Sequence, residues 1–178
     1  EEGVLVCGGP GERYDIHVER DALGGVVLAW WEFRPGAAAE IYVSRIRPDG
    51  TLPPGWPANG LRVSNPASQP YTDFDPVVTF DGAGGLYVAW CRDYNTISPS
   101  YIQHITTLGT VADGWPEYGH YVATTPEQSE PQIVTDGRGG AIVIWAQPDG
   151  YYATRFAADG PVAVSVSLAH REATPDRV

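Results

Sequence analysis

The chain has 178 residues, ample for a core, and is rich in turn formers and aromatics, with 21 Gly, 16 Pro, 6 Trp and 10 Tyr. Its 11 Lys and Arg against 22 Asp and Glu leave a net charge of −11, which repels phosphate backbones and anionic lipid and argues against nucleic-acid or membrane-surface partners. Apolar runs stop at six or seven residues, too short to span a bilayer, and no long stretch keeps a helical period, so short strands with almost no helix are expected.

In chain order, residues 3–7 (GVLVC) read as a lone strand whose pattern matches GLRVS at 60–64 and GHYVA at 119–123. The chain is therefore expected to open with the last strand of a unit. A first full unit runs over 14–69. It holds a strand at 15–19, a turn at Asp21, an apolar strand at 26–31, a loop at 32–40 and an alternating strand at 41–46. The turn PDG (48–50) and the loop TLPPGWPANG (51–60) then lead to a fourth strand.

A second unit covers 71–129. Its latter half aligns with the first without a gap, GTLPPGWPANGLRVS (50–64) against GTVADGWPEYGHYVA (109–123). A third unit, 130–168, has its third strand at 151–156 and its fourth at 162–168, and lacks the Gly-Trp-Pro loop. The polar tail at 170–178 is expected to fray.

One stretch recurs in every unit: DALGGVVLAW (21–30), DGAGGLYVAW (81–90) and DGRGGAIVIW (136–145). Gly supplies positive φ and the Asp carboxylate can bind backbone N–H groups two or three residues on, so this is a tight turn feeding a buried strand. The structural turn residues are Asp21, Asp81, Gly84, Gly85, Asp136, Gly139 and Gly140, with Ala22 standing where Gly82 does and altering the first turn. Calcium loops need several oxygens at alternating positions, and only one carboxylate precedes each Gly pair, so no metal is expected. Four strands per unit at a period of about 55–60 residues point to β-propeller blades, whose inner strands are covered on both faces and read as apolar runs.

PVVTFDGAGGLYVAW (76–90) and PQIVTDGRGGAIVIW (131–145) resemble the repeat of secreted bacterial β-propeller proteins, in which DGxGGxxxxW is followed by a strand ending near a DGxxxW loop. RPDGTLPPGW (47–56) is similar to that loop, and the resemblance covers residues 12 to about 160. It implies an all-β, propeller-like fold and says little about function. Three four-stranded antiparallel blades plus an amino-terminal strand, in one domain over 1–178, would make an incomplete ring. Its open faces call for a longer chain, self-association or other protein subunits, those of a membrane-associated complex among them. The absence of Met and the Glu1-Glu2 start suggest processing, and hence an extracytoplasmic, periplasmic or secreted location.

Among candidate sites, Trp56 and Trp115, each followed by Pro, and the nearby Tyr118 suit recognition, because aromatic faces stack on sugars and anchor interfaces. A Trp repeated at equivalent positions is first a packing device, each securing its loop against its own blade. Asp73 and Asp75 are a carboxylate pair of the kind glycosidases use. Without matching acids seen in the other units, the pair reads as a solvated loop entering a strand. His17, His104, His120 and His170 are scattered, and His104, equivalent to Arg45, reads as strand surface. Cys7 and Cys91 are expected to be free thiols. No catalytic residue, metal or cofactor stands out. The leading expectation is a non-catalytic interaction or scaffold subunit, with a glycan-binding module or a non-catalytic fragment of a larger hydrolase as alternatives.

Overall fold

A computed structural model of the chain describes residues 3–21, 23–65, 71–94, 97–122 and 129–169. These residues form three four-stranded antiparallel sheets and no helix. The first sheet orders β1 (Glu12–Arg20), β2 (Val26–Phe33), β3 (Ala39–Ile46) and β4 (Leu61–Arg62). The second orders β5 (Thr72–Phe80), β6 (Leu86–Asp93), β7 (Ser100–Ile105) and β8 (His120–Tyr121). The third orders β9 (Ser129–Thr135), β10 (Ala141–Gln147), β11 (Gly150–Ala157) and β12 (Gly160–Ala169). Each expected unit is thus one sheet in chain order. Residues 3–7 form no strand, and Val4 and Leu5 are exposed. Just beyond it, the Gly8 N–H donates to Asn59 at 3.1 Å. The tail at 170–178 lies outside the described residues.

The sheets stack face to face, and burial follows from which faces are covered. In the middle sheet, β6 is buried from Leu86 to Arg92 on both sides. Leu86, Val88 and Trp90 pack with Val27, Ala29, Ile41 and Val43 of the first sheet. Tyr87 and Ala89 pack with Ala141, Val143 and Trp145 of the third. In β2 and β10 burial alternates, because a neighbouring sheet covers one face only.

The Asp turns hold the sheets in register. Asp21, Asp81 and Asp136 each donate their N–H to the carbonyl of Gly25, Gly85 or Gly140, at 2.9, 3.1 and 2.9 Å. One carboxylate oxygen of Asp81 accepts the Ala83 and Gly85 N–H groups, and Asp136 does the same with Arg138 and Gly140. The first Gly of the pair is needed for its positive φ (98° at Gly84). The second is needed for close approach, since a Cβ on Gly85 would lie 2.6 Å from the Ile105 carbonyl. The first turn keeps its closing bond, although Ala22 lies outside the described residues.

The second carboxylate oxygen binds a side chain from the third strand of the same sheet: Arg45 for Asp21, His104 for Asp81 and Arg155 for Asp136. Arg45 and His104 are therefore buried partners of the turns rather than strand surface. Each also reaches the next sheet, Arg45 to the Gly84 carbonyl at 2.6 Å and His104 to the Ala158 carbonyl at 3.3 Å.

Candidate functional site

Trp56 and Trp115 are only 6% and 7% exposed. Each indole N–H donates across to the following sheet, Trp56 to the Thr107 carbonyl and Trp115 to the Ala158 carbonyl, both at 3.0 Å. Both Trp lie at the end of the sheets that carries the Asp turns, with little face or donor left for a ligand. They are latches between sheets. Tyr118 is half-buried and hydrogen-bonded to Glu117.

Asp73 and Asp75 do not act as a pair. Both lie within β5, not in a loop. Asp73 is fully buried and clasped by Arg92, at 2.6 and 2.9 Å, and Arg92 is sandwiched between the rings of Tyr71 and Tyr101. Asp75 points elsewhere because the strand is bulged there. The β5–β6 register shifts between Phe74 and Val77, which breaks the two-residue alternation.

The same irregularity occurs in β1 between Tyr14 and His17, and in the β9–β10 pairing opposite Ile144 to Ala146. At each bulge stands an acid: Asp15, Asp75 and Glu130. These are the non-glycine residues with positive φ among those described, at 47°, 49° and 50°. A bulge of this kind ordinarily takes Gly, since a residue with a Cβ pays about 1–3 kcal/mol for a sparsely populated backbone region. Three units thus place a strained carboxylate at one equivalent position.

The first strands β1, β5 and β9 lie side by side, so the three bulges converge. They line one depression of about 390 Å³, each sheet supplying three consecutive residues: Asp15, Ile16 and His17; Asp75, Pro76 and Val77; Glu130, Pro131 and Gln132. Asp15 and Glu130 are exposed and Asp75 is half-buried. Burial, then the negative charges of Asp15 and Glu130, push the Asp75 carboxyl above its ordinary range. The depression opens at the opposite end of the strands from the Asp turns. His17 joins two of its walls, its Nδ1 accepting the Val78 N–H at 3.3 Å.

The sequence does carry the signal for this trio. Asp15, Asp75 and Glu130 each stand six residues before the turn acids Asp21, Asp81 and Asp136. Aligning the units on their turns exposes the match, with Glu in the third unit where the first two have Asp.

Among the described residues no three His, Cys, Asp or Glu side chains gather closely enough to hold a metal ion. Cys7 and Cys91 are free, and burial pushes the Cys91 thiol up to about 11.

No family model and no curated protein matches the chain. Among solved structures, an endo-arabinase from Bacteroides thetaiotaomicron VPI-5482 is similar in fold, with a TM-score of 0.54 and 14% identity over 87% of this chain and 60% of that one. A thermostable family-43 glycoside hydrolase (TM-score 0.47, 14% identity, 84% and 51% covered) and a protein of unknown function from Dyadobacter fermentans DSM 18053 (0.47, 12%, 96% and 67%) are more distantly similar. The chain spans 60% of the length of the endo-arabinase. The fold is all-β and propeller-like, and the likeness to an endo-arabinase corrects the expected interaction or scaffold subunit in favour of the alternative, a fragment of a larger hydrolase.

Proposed function

We propose that the chain carries the reactive face of a glycan-cleaving propeller, with Asp15, Asp75 and Glu130 as its acid–base groups. The observation that carries this is the convergence of three backbone-strained carboxylates on one depression, the middle one with a raised proton affinity. Glycoside hydrolysis needs one carboxyl that arrives protonated and one that is ionised. The first gives its proton to the departing glycosidic oxygen. The second draws a proton from the attacking water as the C–O bond breaks, so that water is added across the linkage. The upward shift at Asp75 meets the first need, and the exposed Asp15 and Glu130 beside it meet the second. The net charge of −11 disfavours anionic polymers, leaving uncharged glycans as the substrate class. The fold likeness to an endo-arabinase makes arabinan the first substrate to try.

The test is release of new reducing ends from arabinan, xylan and β-glucan by the full chain. Asp75→Asn, Asp15→Asn and Glu130→Gln are each expected to lower turnover at least about 100-fold. Asp75→Asn should also remove a limb of the pH profile lying above the ordinary carboxylate range. Turnover on none of the polymers, or turnover indifferent to all three variants, refutes the proposal.

The same reading holds that the three sheets form an open arc. Arg155 supports it. Its counterparts Arg45 and His104 have side chains 7% and 8% exposed beneath the next sheet, whereas that of Arg155 is 42% exposed. Val18 on the free face of the first sheet and Val134 on that of the third are 51% and 52% exposed. Native mass measurement checks this. A stable monomer that binds no hydrophobic dye would refute an open arc.

A further inference from the structure

We infer that Tyr14, Trp31 and Phe33 form a stacking subsite for a sugar ring of the same glycan chain, beside the carboxylates. The inference rests on the hydrolase reading and adds where the chain is held. Tyr14 and Trp31 are cross-strand partners on β1 and β2, and Phe33 follows two residues after Trp31, so all three share one face of the sheet. Tyr14 stacks on Trp31 with ring centroids 4.4 Å apart, and Phe33 meets both edge-on, at 6.4 Å from Tyr14 and 5.4 Å from Trp31. Tyr14 and Phe33 stay 39% and 38% exposed, although an aromatic cluster of this size gains by burial.

Three observations give the patch an occupant. First, it is wired to the acids: the Trp31 indole N–H donates to the Asp15 carboxylate, and Tyr14 adjoins Asp15 in the chain. A ring lying on the patch is therefore one unit along a chain that crosses the depression. Second, the patch is no part of the repeated framework. The equivalent positions are Phe74, Cys91 and Asp93 in the second unit and Ser129, Ala146 and Pro148 in the third. The second unit keeps one aromatic, Phe74, and the third keeps none, so the framework folds twice without the trio and packing alone does not call for it. Third, the patch has polar edges. The Tyr14 hydroxyl donates to Glu12 at 2.7 Å, which places hydrogen-bonding groups around an apolar face, as sugar hydroxyls around a C–H face require.

The experiment uses the full chain and two kinds of readout. Binding of arabino-, xylo- and cello-oligosaccharides of two to six units is measured by calorimetry in the Asp75→Asn background, which leaves the patch intact. Turnover of the best-bound series is measured with Asp75 restored. Tyr14→Ala and Phe33→Ala are expected to weaken binding roughly two- to tenfold each, the range of aromatic contacts. They should raise KM on chains of three or more units by more than they lower kcat. Trp31→Phe, which keeps the packing against the core but removes the hydrogen bond that orients Asp15, should lower kcat as well as raise KM. Carboxylate-dependent turnover with unchanged KM and binding in Tyr14→Ala and Phe33→Ala overturns the subsite and leaves the hydrolase reading standing. Binding that depends on the aromatics without any turnover keeps the subsite and refutes the hydrolase reading. Failure of the Asp75→Asn chain to bind any oligosaccharide overturns the subsite.

Discussion

Replacing Trp115 by Ala separates a latch from a ligand-binding residue. The side chain is 7% exposed, packs among Tyr87, His104 and Phe156, and donates to the Ala158 carbonyl at 3.0 Å. Removing a buried Trp costs about 3–5 kcal/mol in lost transfer energy and cavity. The hydrogen bond adds little more, because His104 still reaches the same carbonyl. A chain of this size loses about 2–4 °C of Tm per kcal/mol, so Trp115→Ala should melt about 6–20 °C lower. Trp115→Phe, which keeps most of the ring, should cost about 1–2 kcal/mol. Trp56→Ala should behave like Trp115→Ala, since Trp56 makes the same bond one sheet earlier. The assay is calorimetric or circular-dichroism melting beside oligosaccharide binding. A Trp115→Ala chain that melts within about 2 °C of the parent yet no longer binds glycan would refute the latch and return Trp115 to recognition.

Three other outcomes follow from particular groups. Burial pushes the Asp81 carboxyl up, but the His104 hydrogen bond and the Ala83 and Gly85 N–H groups outweigh it and hold it below the ordinary 3.8. Its stabilising effect is therefore present above that value and lost as pH falls through the lowered one. The gap in Tm between the parent and Asp81→Asn should be open at pH 6 and close below about pH 4; a gap that widens on acidification contradicts the sign. Cys91, buried and raised to about 11, should resist a thiol-reactive disulfide in the native chain, leaving one titratable thiol until denaturant is added. Asp75→Gly relieves a φ of 49° and should raise stability by about 0.5–1 kcal/mol while abolishing turnover; a loss of stability would mean the carboxylate is structural.

Much of the fold is legible because it is set locally. The Asp turn and its Gly pair dictate where each second strand begins, and the apolar run after them is covered by whatever sheet lies beside it. Strands β2, β3, β10 and β11 accordingly fall within two residues of their expected starts. The expectation at residues 3–7 fails because a strand needs an edge to pair with, and GVLVC states only a propensity. The fourth strands of the first two units shrink to two-residue ladders at Leu61–Arg62 and His120–Tyr121, beyond which single bonds from Val63 to Ile41 and Val122 to Ser100 hold the chain to the third strand. The burial of Arg45 and His104 is hidden for a related reason. Their carboxylate partners are 24 and 23 residues away, and alternation along one strand says nothing of the next sheet.

In most repeat proteins the residues that recur are framework, and function sits where copies differ. That holds for solenoids, whose equivalent positions are translated apart. It fails where units are arranged around an axis. There an equivalent position near the axis in every unit is carried to the same place, so a residue repeated for no packing reason becomes a cluster. The two cases separate on energetics. The turn acids have their oxygens filled by backbone N–H groups and by Arg45, His104 or Arg155, as a framework residue should. The bulge acids line a depression, with only Asp15 held by a side chain among the described residues, the Trp31 indole, and they keep a backbone conformation that Gly would adopt freely. Repetition with satisfied bonds marks structure, and repetition that costs strain marks the shared site. For the proposed glycan hydrolysis, the aromatic patch on the first sheet is what symmetry does not supply, since a chain of sugars needs one end of the depression to differ from the other.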